Sequence, residues 1–357
     1  MTIPLLDAPV AVRAALLDDV AEQTRLVAFV EAHPEATPFH LPHWAMAVAR
    51  GCGQRAHCLV AETAGGQIAG ILPLTEIGSP LFGRAMVSAG FGVGGGVLAT
   101  TDHAVKSLTG AGWALASERR CPTMELRGGA NPGEGWSVDE DTYLGFVRPL
   151  AADDEAELLA IPRKQRAEVR KALGGELTVT TGADARHQAA HYAVYAESVR
   201  NLGTPVFPKR LFREVLAAFG DAADILVVWH ENTPVAAVLS LYMGGTVFPY
   251  WGGGTQAARA LRANDQLYFA LMCHARRRGC TRFDFGRSKA GTGPAAFKKN
   301  WGFEGAPLRY FKRTADGAPP REINPLSPRY RLQVAAWRKL PLWIANRAGP
   351  VISRGLG

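Results

Sequence analysis

One order of elements occurs twice in this chain, and the repetition limits its fold more than any single motif does. In the first pass, His57–Glu62 and Ile68–Ile77 read as strands around the turn Ala64-Gly-Gly-Gln67. A third strand near Met86-Val87 runs into the glycine loop Gly90-Phe-Gly-Val-Gly-Gly-Gly96, a helix is predicted from about Asp102 to Arg119, and Met124–Arg127 is a strand. In the second pass, Ile225–His230 and Val235–Met243 flank the turn Glu231-Asn-Thr-Pro234. Then come a strand Thr246–Trp251, a loop Gly252–Gly254, a helix from about Asn264 to Arg278 and a strand Thr281–Phe285. Order and turns repeat, not residue identity. Two such passes predict an α/β (α+β) chain of tandem domains, each with a mixed central sheet. The expected divisions are an N-terminal domain over 1–150, a helical region over 151–220 counted with the second domain, a C-terminal domain over 221–315, and a basic aromatic tail over 316–357.

Size permits this: 357 residues, 47% hydrophobic and 20% charged, can bury two ordinary cores. The five cysteines, Cys52, Cys58, Cys121, Cys273 and Cys280, contain no C-x-x-C and are odd in number, which predicts neither a disulfide framework nor a thiolate metal site. No apolar run approaches the roughly 20 residues of a spanning helix, and Asp18 and Asp19 interrupt anything like a leader. A cytoplasmic protein is expected. The net charge of +8 is concentrated at one end: from Arg309 onward ten Lys or Arg face only Asp316 and Glu322, so the rest is neutral overall. That basic stretch, interleaved with Tyr330, Trp337, Trp343 and Ile344, either lies on an anionic surface such as the inner membrane face or packs on the body by its aromatic side.

Chemistry concentrates in Val247–Thr255, Phe283–Gly293 and Phe297–Phe303, where glycines, aromatics and cations surround one acid. Strand alternation turns Asp284 away from Phe283 and Phe285, so it is either a general base or a carboxylate paired with Arg287 or Lys289. Tyr250 and Trp251 end a strand beside glycines and either stack on substrate or fill the core. Lys289, Lys298 and Lys299, with Phe297 and Trp301, form a basic aromatic group suited to phosphate or nucleotide, or else a solvated loop. The helix Asp153–Leu173, with Pro162 as its expected break, adds Arg163, Lys164 and Arg166 to a basic surface. Arg259, Arg262 and Asn264 precede the long helix. A G-x-S-x-G elbow, a P-loop and a kinase signature are all absent, which leaves direct transfer between two bound substrates. The pairs His40/His43 and His187/His191 lack companion ligands, so no metal is expected.

These three segments, with Ile161-Pro-Arg-Lys-Gln-Arg-Ala-Glu-Val-Arg-Lys171, Tyr195-Ala-Glu-Ser-Val-Arg-Asn-Leu-Gly-Thr-Pro-Val-Phe-Pro208 and Asn324-Pro-Leu-Ser-Pro-Arg-Tyr330, resemble the FemAB-type transferases of the GNAT superfamily, in particular those of PEP-CTERM and exopolysaccharide loci. The resemblance spans most of the chain, more loosely before Pro149. It implies transfer of an acyl or aminoacyl group onto an amine of a cell-envelope or exopolysaccharide precursor, from acyl-CoA or aminoacyl-tRNA as co-substrate. No permanently bound cofactor and no DNA partner are implied. The run Arg262-Ala-Asn-Asp-Gln-Leu267 lacks the glycine pair of a GNAT pyrophosphate loop, which directs attention to tRNA. The expected catalytic residues are Asp284, Tyr250 and Arg287. Lys289, Lys298, Lys299, Arg259, Arg262, Asn264, Arg163, Lys164 and Arg166 are expected at the donor, and Trp251, Phe207 and Trp301 at the acceptor. The contrasting expectation is a non-catalytic scaffold of a polysaccharide assembly system, built on a decayed transferase fold.

Overall fold

The computed structural model describes residues 9–319 and 328–357. The chain divides into two compact units: Met1–Glu140 with Arg309–Ile323 and Arg354–Gly357, and Asp141–Leu308 with Asn324–Ser353. In chain order the strands are β1 (Val10–Ala14), β2 (Arg55–Thr63), β3 (Ile68–Ser79), β4 (Gly83–Ser88), β5 (Leu98–Ala99), β6 (Thr123–Arg127) and β7 (Ser137–Asp139). There follow β8 (Tyr143–Pro149), β9 (Leu177–Gly182), β10 (Ala223–His230), β11 (Thr233–Met243), β12 (Thr246–Gly254), β13 (Arg282–Lys289), β14 (Gly305–Pro307) and β15 (Tyr310–Thr314).

The first unit's sheet runs β1-β2-β3-β4-β6-β15-β7, with β5 also on β3. Its parallel strand pair, β4 with β6, is joined through the helix Asp102–Glu118, which starts where the Thr101 side chain accepts from the Ala104 N–H. The apolar run of β3 is buried along nearly its whole length, as a strand covered on both faces must be, and helices Pro42–Cys52 and Asp102–Glu118 both pack on it.

The second unit's sheet runs β14-β8-β13-β12-β11-β10-β9. Here too one pair is parallel, β12 with β13, and helices Ala258–Leu261 and Ala263–Arg277 make the crossover. The helix Ala185–Leu202 opens on Asp184, whose carboxylate accepts from the Arg186 and His187 N–H groups, and closes at Gly203 in the left-handed region. Its core holds Phe283, Phe285, Phe303 and Trp301 on one side of β13.

Two expectations need correction, the loop Gly252–Gly254 and the placing of Tyr310–Thr314, while the break at Pro162 and a C-terminal stretch packed on the body are among those stated above. Gly252–Gly254 is not a loop but the end of β12, paired with Ala236–Val238 of β11. Pro162 does break the helical stretch, into Asp154–Ala160 and Arg163–Leu173, because its ring cannot continue the turn before it. The strand Tyr310–Thr314, counted with the C-terminal domain, pairs with β6 and β7 in the first sheet. The C-terminal stretch holds two helices, Pro328–Lys339 and Leu342–Ser353, that pack on the helix Ala185–Leu202 of the second unit. Residues 320–327, which include the Asn324-Pro-Leu-Ser motif, lie outside the described residues.

Candidate active site

Strands β12 and β13 run parallel for only two pairs, Thr246–Arg282 and Val247–Phe283. Beyond that point each carries a β-bulge. The register of β12 on β11 passes from Pro249–Ser240 to Trp251–Leu239, so Tyr250 is an inserted residue. The register of β13 on β8 passes from Asp284–Val147 to Arg287–Gly145, so an extra residue is taken up at Phe285-Gly286, where Gly286 adopts φ +67°. Tyr250 stands three residues past Val247 and Gly286 three past Phe283, so both irregularities fall at one level. Bulges bend and over-twist a strand. Two at the same height end the parallel pairing and leave a wedge between the strands, with the crossover helix starting beyond the far end of β12.

On the β13 wall, the Asp284 carboxylate accepts from the Gly286 N–H at 2.8 Å. Burial raises its pKa above the ordinary carboxylate range, opposed by that hydrogen bond and by the Lys298 and Arg282 charges. Lys298, on the helix Gly293–Asn300, is buried and donates to the carbonyl oxygens of Gly286 and Arg287, both at 3.0 Å. Its ammonium also lies 5.3 and 5.4 Å from the Phe146 and Phe285 ring centres. Burial lowers its pKa to about 8, with Asp284 opposing and Arg287 reinforcing the shift. Arg287 and Lys289 both stand over the Tyr143 ring, at 4.6 and 5.8 Å.

On the β12 wall, buried His191 makes a 2.7 Å hydrogen bond through Nε2 to the Trp251 carbonyl, next to the bulge. A carbonyl only accepts, so Nε2 carries the proton and Nδ1 is left as a buried acceptor that no hydrogen bond reaches. Burial lowers the His191 pKa to about 4, which keeps the ring neutral. Tyr195 stacks on His191 and Phe212 meets Trp251 edge-on, and Phe207 lies 6.3 Å from the Trp251 ring. The glycines are spacing residues: a Cβ on Gly253 would strike Ser198, and one on Gly254 would lie 2.9 Å from Asn264 Oδ1. That amide oxygen is itself buried with no hydrogen-bond donor.

The fold therefore gathers Asp284, Arg287, Lys289 and Lys298 at one bulge, and sets Tyr250, Trp251, Phe207 and Asn264 along the facing strand. The other expected contacts are paired elsewhere, buried in the core or exposed. Arg262 is ion-paired with Glu168 at 2.6 Å, Arg166 donates to the Leu159 carbonyl, Trp301 is fully buried in the core, and Arg163, Lys164, Arg259 and Lys299 are exposed. Sequence reasoning missed Tyr143, on a strand it did not assign, and the role of His191, which helical spacing suggested only as a metal partner of His187. In the fold His187 instead bonds Asp184 and Thr180. Among the described residues no group of His, Cys, Asp or Glu could hold a metal.

In the first unit the corresponding place is closed by main chain. Pairing of β4 with β6 ends at Val87–Glu125, and the glycine loop that follows is tied down. Gly90 O accepts from Trp44, Gly92 O from Arg127, Val93 O from Tyr310 and Gly94 O from Thr37. Its N–H groups are used as well: Gly90 donates to Thr75 and Gly95 to the Arg127 carbonyl, while Val97 bridges Gly129 as a further parallel pair.

These two parallel crossovers with one splayed pair can be set beside known proteins. Residues 162–299 match the acetyltransferase (GNAT) domain family. No curated protein matches the sequence. FemX is similar in structure at 15% identity, covering 82% of this chain and 96% of its own, with a TM-score of 0.66. A tandem GNAT protein from the clavulanic acid biosynthesis pathway matches at 14% identity, over 87% and 100%, with a TM-score of 0.55. L-PGS from Bacillus licheniformis matches at 14%, over 88% and 95%, with a TM-score of 0.52. The architecture is thus mixed α/β with tandem GNAT-like domains. The GNAT match contains both walls of the open wedge except Tyr143 and Phe146.

Proposed function

We propose that this chain is a transferase that moves an acyl or aminoacyl group onto an amine, with a cell-envelope or exopolysaccharide precursor as acceptor and aminoacyl-tRNA as the favoured donor. The observation that carries the reading is the splayed end of the β12–β13 pair in the second unit, with a half-buried Asp284 of raised pKa beside a buried Lys298. In such a transfer the amine nitrogen bonds to the donor's carbonyl carbon. The C–O or C–S bond to the carrier breaks, the amine gives up a proton, and the carrier leaves as alcohol or thiol. Asp284 has the partly buried, proton-avid carboxylate that accepts that proton, and Lys298 sets positive potential at the same bulge, where the oxyanion forms. Tyr250 and Trp251 line the opposite wall for the acceptor.

The donor assignment rests on the helix Ala263–Arg277. A pyrophosphate carrier favours a helix start with free N–H groups and positive potential. This start carries Asp265 in its first turn, bonded by Gln165, and its preceding Arg262 is neutralised by Glu168. That disfavours coenzyme A. Similarity in fold to FemX and L-PGS supports the reading, and the exopolysaccharide acceptor rests on the FemAB resemblance. The test is transfer of radiolabel from charged tRNA or acyl-CoA to envelope-precursor amines. Label should pass from tRNA, and Asp284→Asn should lower the rate at least about 100-fold. Transfer from acyl-CoA alone would overturn the donor, and transfer from neither would favour the scaffold.

A further inference from the structure

Both C-terminal helices carry large apolar residues on their outer faces, and in the last one the inner face is made of small residues. In Leu342–Ser353 the residues against the protein are small: Ala345 is buried, a Cβ on Gly349 would sit 3.0 Å from Val206, and Ser353 Oγ donates to the Val206 carbonyl. Large residues point the other way. Trp343 is 70% exposed and Val351 62%, and with exposed Arg347 they recur every fourth residue, which is one face of a helix. In Pro328–Lys339, Leu332 is 83% exposed, and Ala336 and Lys339 continue its stripe. This helix is fixed to the body from its other side: Arg200 donates to the Arg338 carbonyl and Arg338 to that of Leu202. Residues 328–353 contain five Lys or Arg and no Asp or Glu. Among the described residues no helix is long and apolar enough to cross a membrane.

A helix normally turns its large apolar residues inward and leaves small or polar ones outside. The reverse is stable when the outer face meets a second apolar phase, and unbroken positive charge selects a negatively charged one. We infer that the outer faces of these helices form a docking surface for an anionic lipid bilayer. Trp343 is suited to the headgroup boundary, Leu332 and Val351 reach the acyl region, and Lys339 and Arg347 extend aliphatic stems toward lipid phosphates. Nucleic acid would use the cations but gains nothing from aliphatic Leu332 and Val351, whereas a bilayer uses both. None of these residues belongs to the wedge, so the proposal stands apart from the transfer reading.

The experiment is co-sedimentation of the full chain with vesicles of phosphatidylcholine alone or mixed with phosphatidylglycerol, at low and high salt. Wild type should bind the mixed vesicles, and the partition coefficient should fall at least about tenfold in Trp343→Ser/Leu332→Ser and in Lys339→Glu/Arg347→Glu. Both variants alter exposed positions, and unchanged thermal unfolding confirms that they fold. Transfer to a water-soluble acceptor should be unaffected, which separates failure here from failure of the proposed activity. Equal partition of wild type and both variants would overturn the proposal. So would an absence of vesicle binding with uncharged tRNA bound instead, or with self-association that Trp343→Ser/Leu332→Ser abolishes.

Discussion

The Lys298 ammonium donates to the Gly286 carbonyl oxygen at 3.0 Å, across the bulge that sets the Asp284 carboxylate. A bulge leaves carbonyl groups outside the ladder, and here a buried cation from the next helix takes two of them, Gly286 and Arg287. Lysine at 298 is therefore a brace as well as a charge. Lys298→Met should destabilise the protein by about 1–3 kcal/mol in urea unfolding, since it removes the donor from two part-buried carbonyl oxygens. Exposed Lys299→Ala should change stability by less than about 0.5 kcal/mol. Equal effects of the two substitutions would show that the bulge holds without its brace.

Activity and stability should diverge with pH. Transfer needs Asp284 ionised and Lys298 charged, so its rate should rise as Asp284 loses its proton above the ordinary carboxylate range and fall above pH about 8. Stability runs the other way at the alkaline end. Lys298 has a lowered folded-state pKa, so between about 8 and the ordinary lysine value of 10.5 the unfolded chain holds more protons and stability rises with pH. Asp284 has a raised one, so its contribution is present in acid and is lost as pH climbs through that raised value. Urea midpoints against pH should show the alkaline rise in wild type and not in Lys298→Met. Lys298→Arg should remove the alkaline limb of the rate profile.

The architecture was legible because each domain writes its own strand, turn and helix periods locally. The strands β2, β3, β10 and β11, and both crossover helices, are long amphipathic or apolar runs between turn residues. The strands β1, β5, β7, β8, β9, β14 and β15 are missed, most of them short or paired at long sequence distance, with no local period to mark them. Asp284 was legible because alternation between Phe283 and Phe285 fixes its side of the sheet. The burial of Lys298 was not, since Phe297-Lys-Lys-Asn300 reads the same whether Lys298 or Lys299 turns inward. Gly252–Gly254 misleads for a physical reason: glycines between a strand and a helix read as a loop, whereas here they let helices approach a strand.

That last point is testable at Gly253. A Cβ there would strike Ser198 Oγ and lie 2.7 Å from its Cβ, and both residues sit on packed elements. Gly253→Ala should cost about 1–3 kcal/mol in thermal or urea unfolding by overpacking. Adding Ser198→Gly removes the clash and should recover part of that loss, less the roughly 1 kcal/mol penalty of glycine within a helix. Strictly additive losses in the double variant would show that the two residues do not press on each other.

One donor should bind per chain, although the fold is present twice. The first unit's splay is filled by residues 89–97, whose Gly90, Gly92, Val93 and Gly94 carbonyls are each held by a side chain. A Cβ on Gly96 would collide with the Gly128 carbonyl, so the two segments meet with no room between them. Opening that wedge for a ligand would break the Gly95–Arg127 main-chain bond and strand several buried polar groups, each worth about 1–3 kcal/mol. The second unit asks for no such rupture, because pairing of β12 and β13 already stops at Val247–Phe283. Calorimetry with charged tRNA, or with a non-hydrolysable analogue of its 3′ end, should give a stoichiometry near one. Two equivalent sites would mean that the glycine loop of the first unit opens at a far smaller cost than its hydrogen bonds imply.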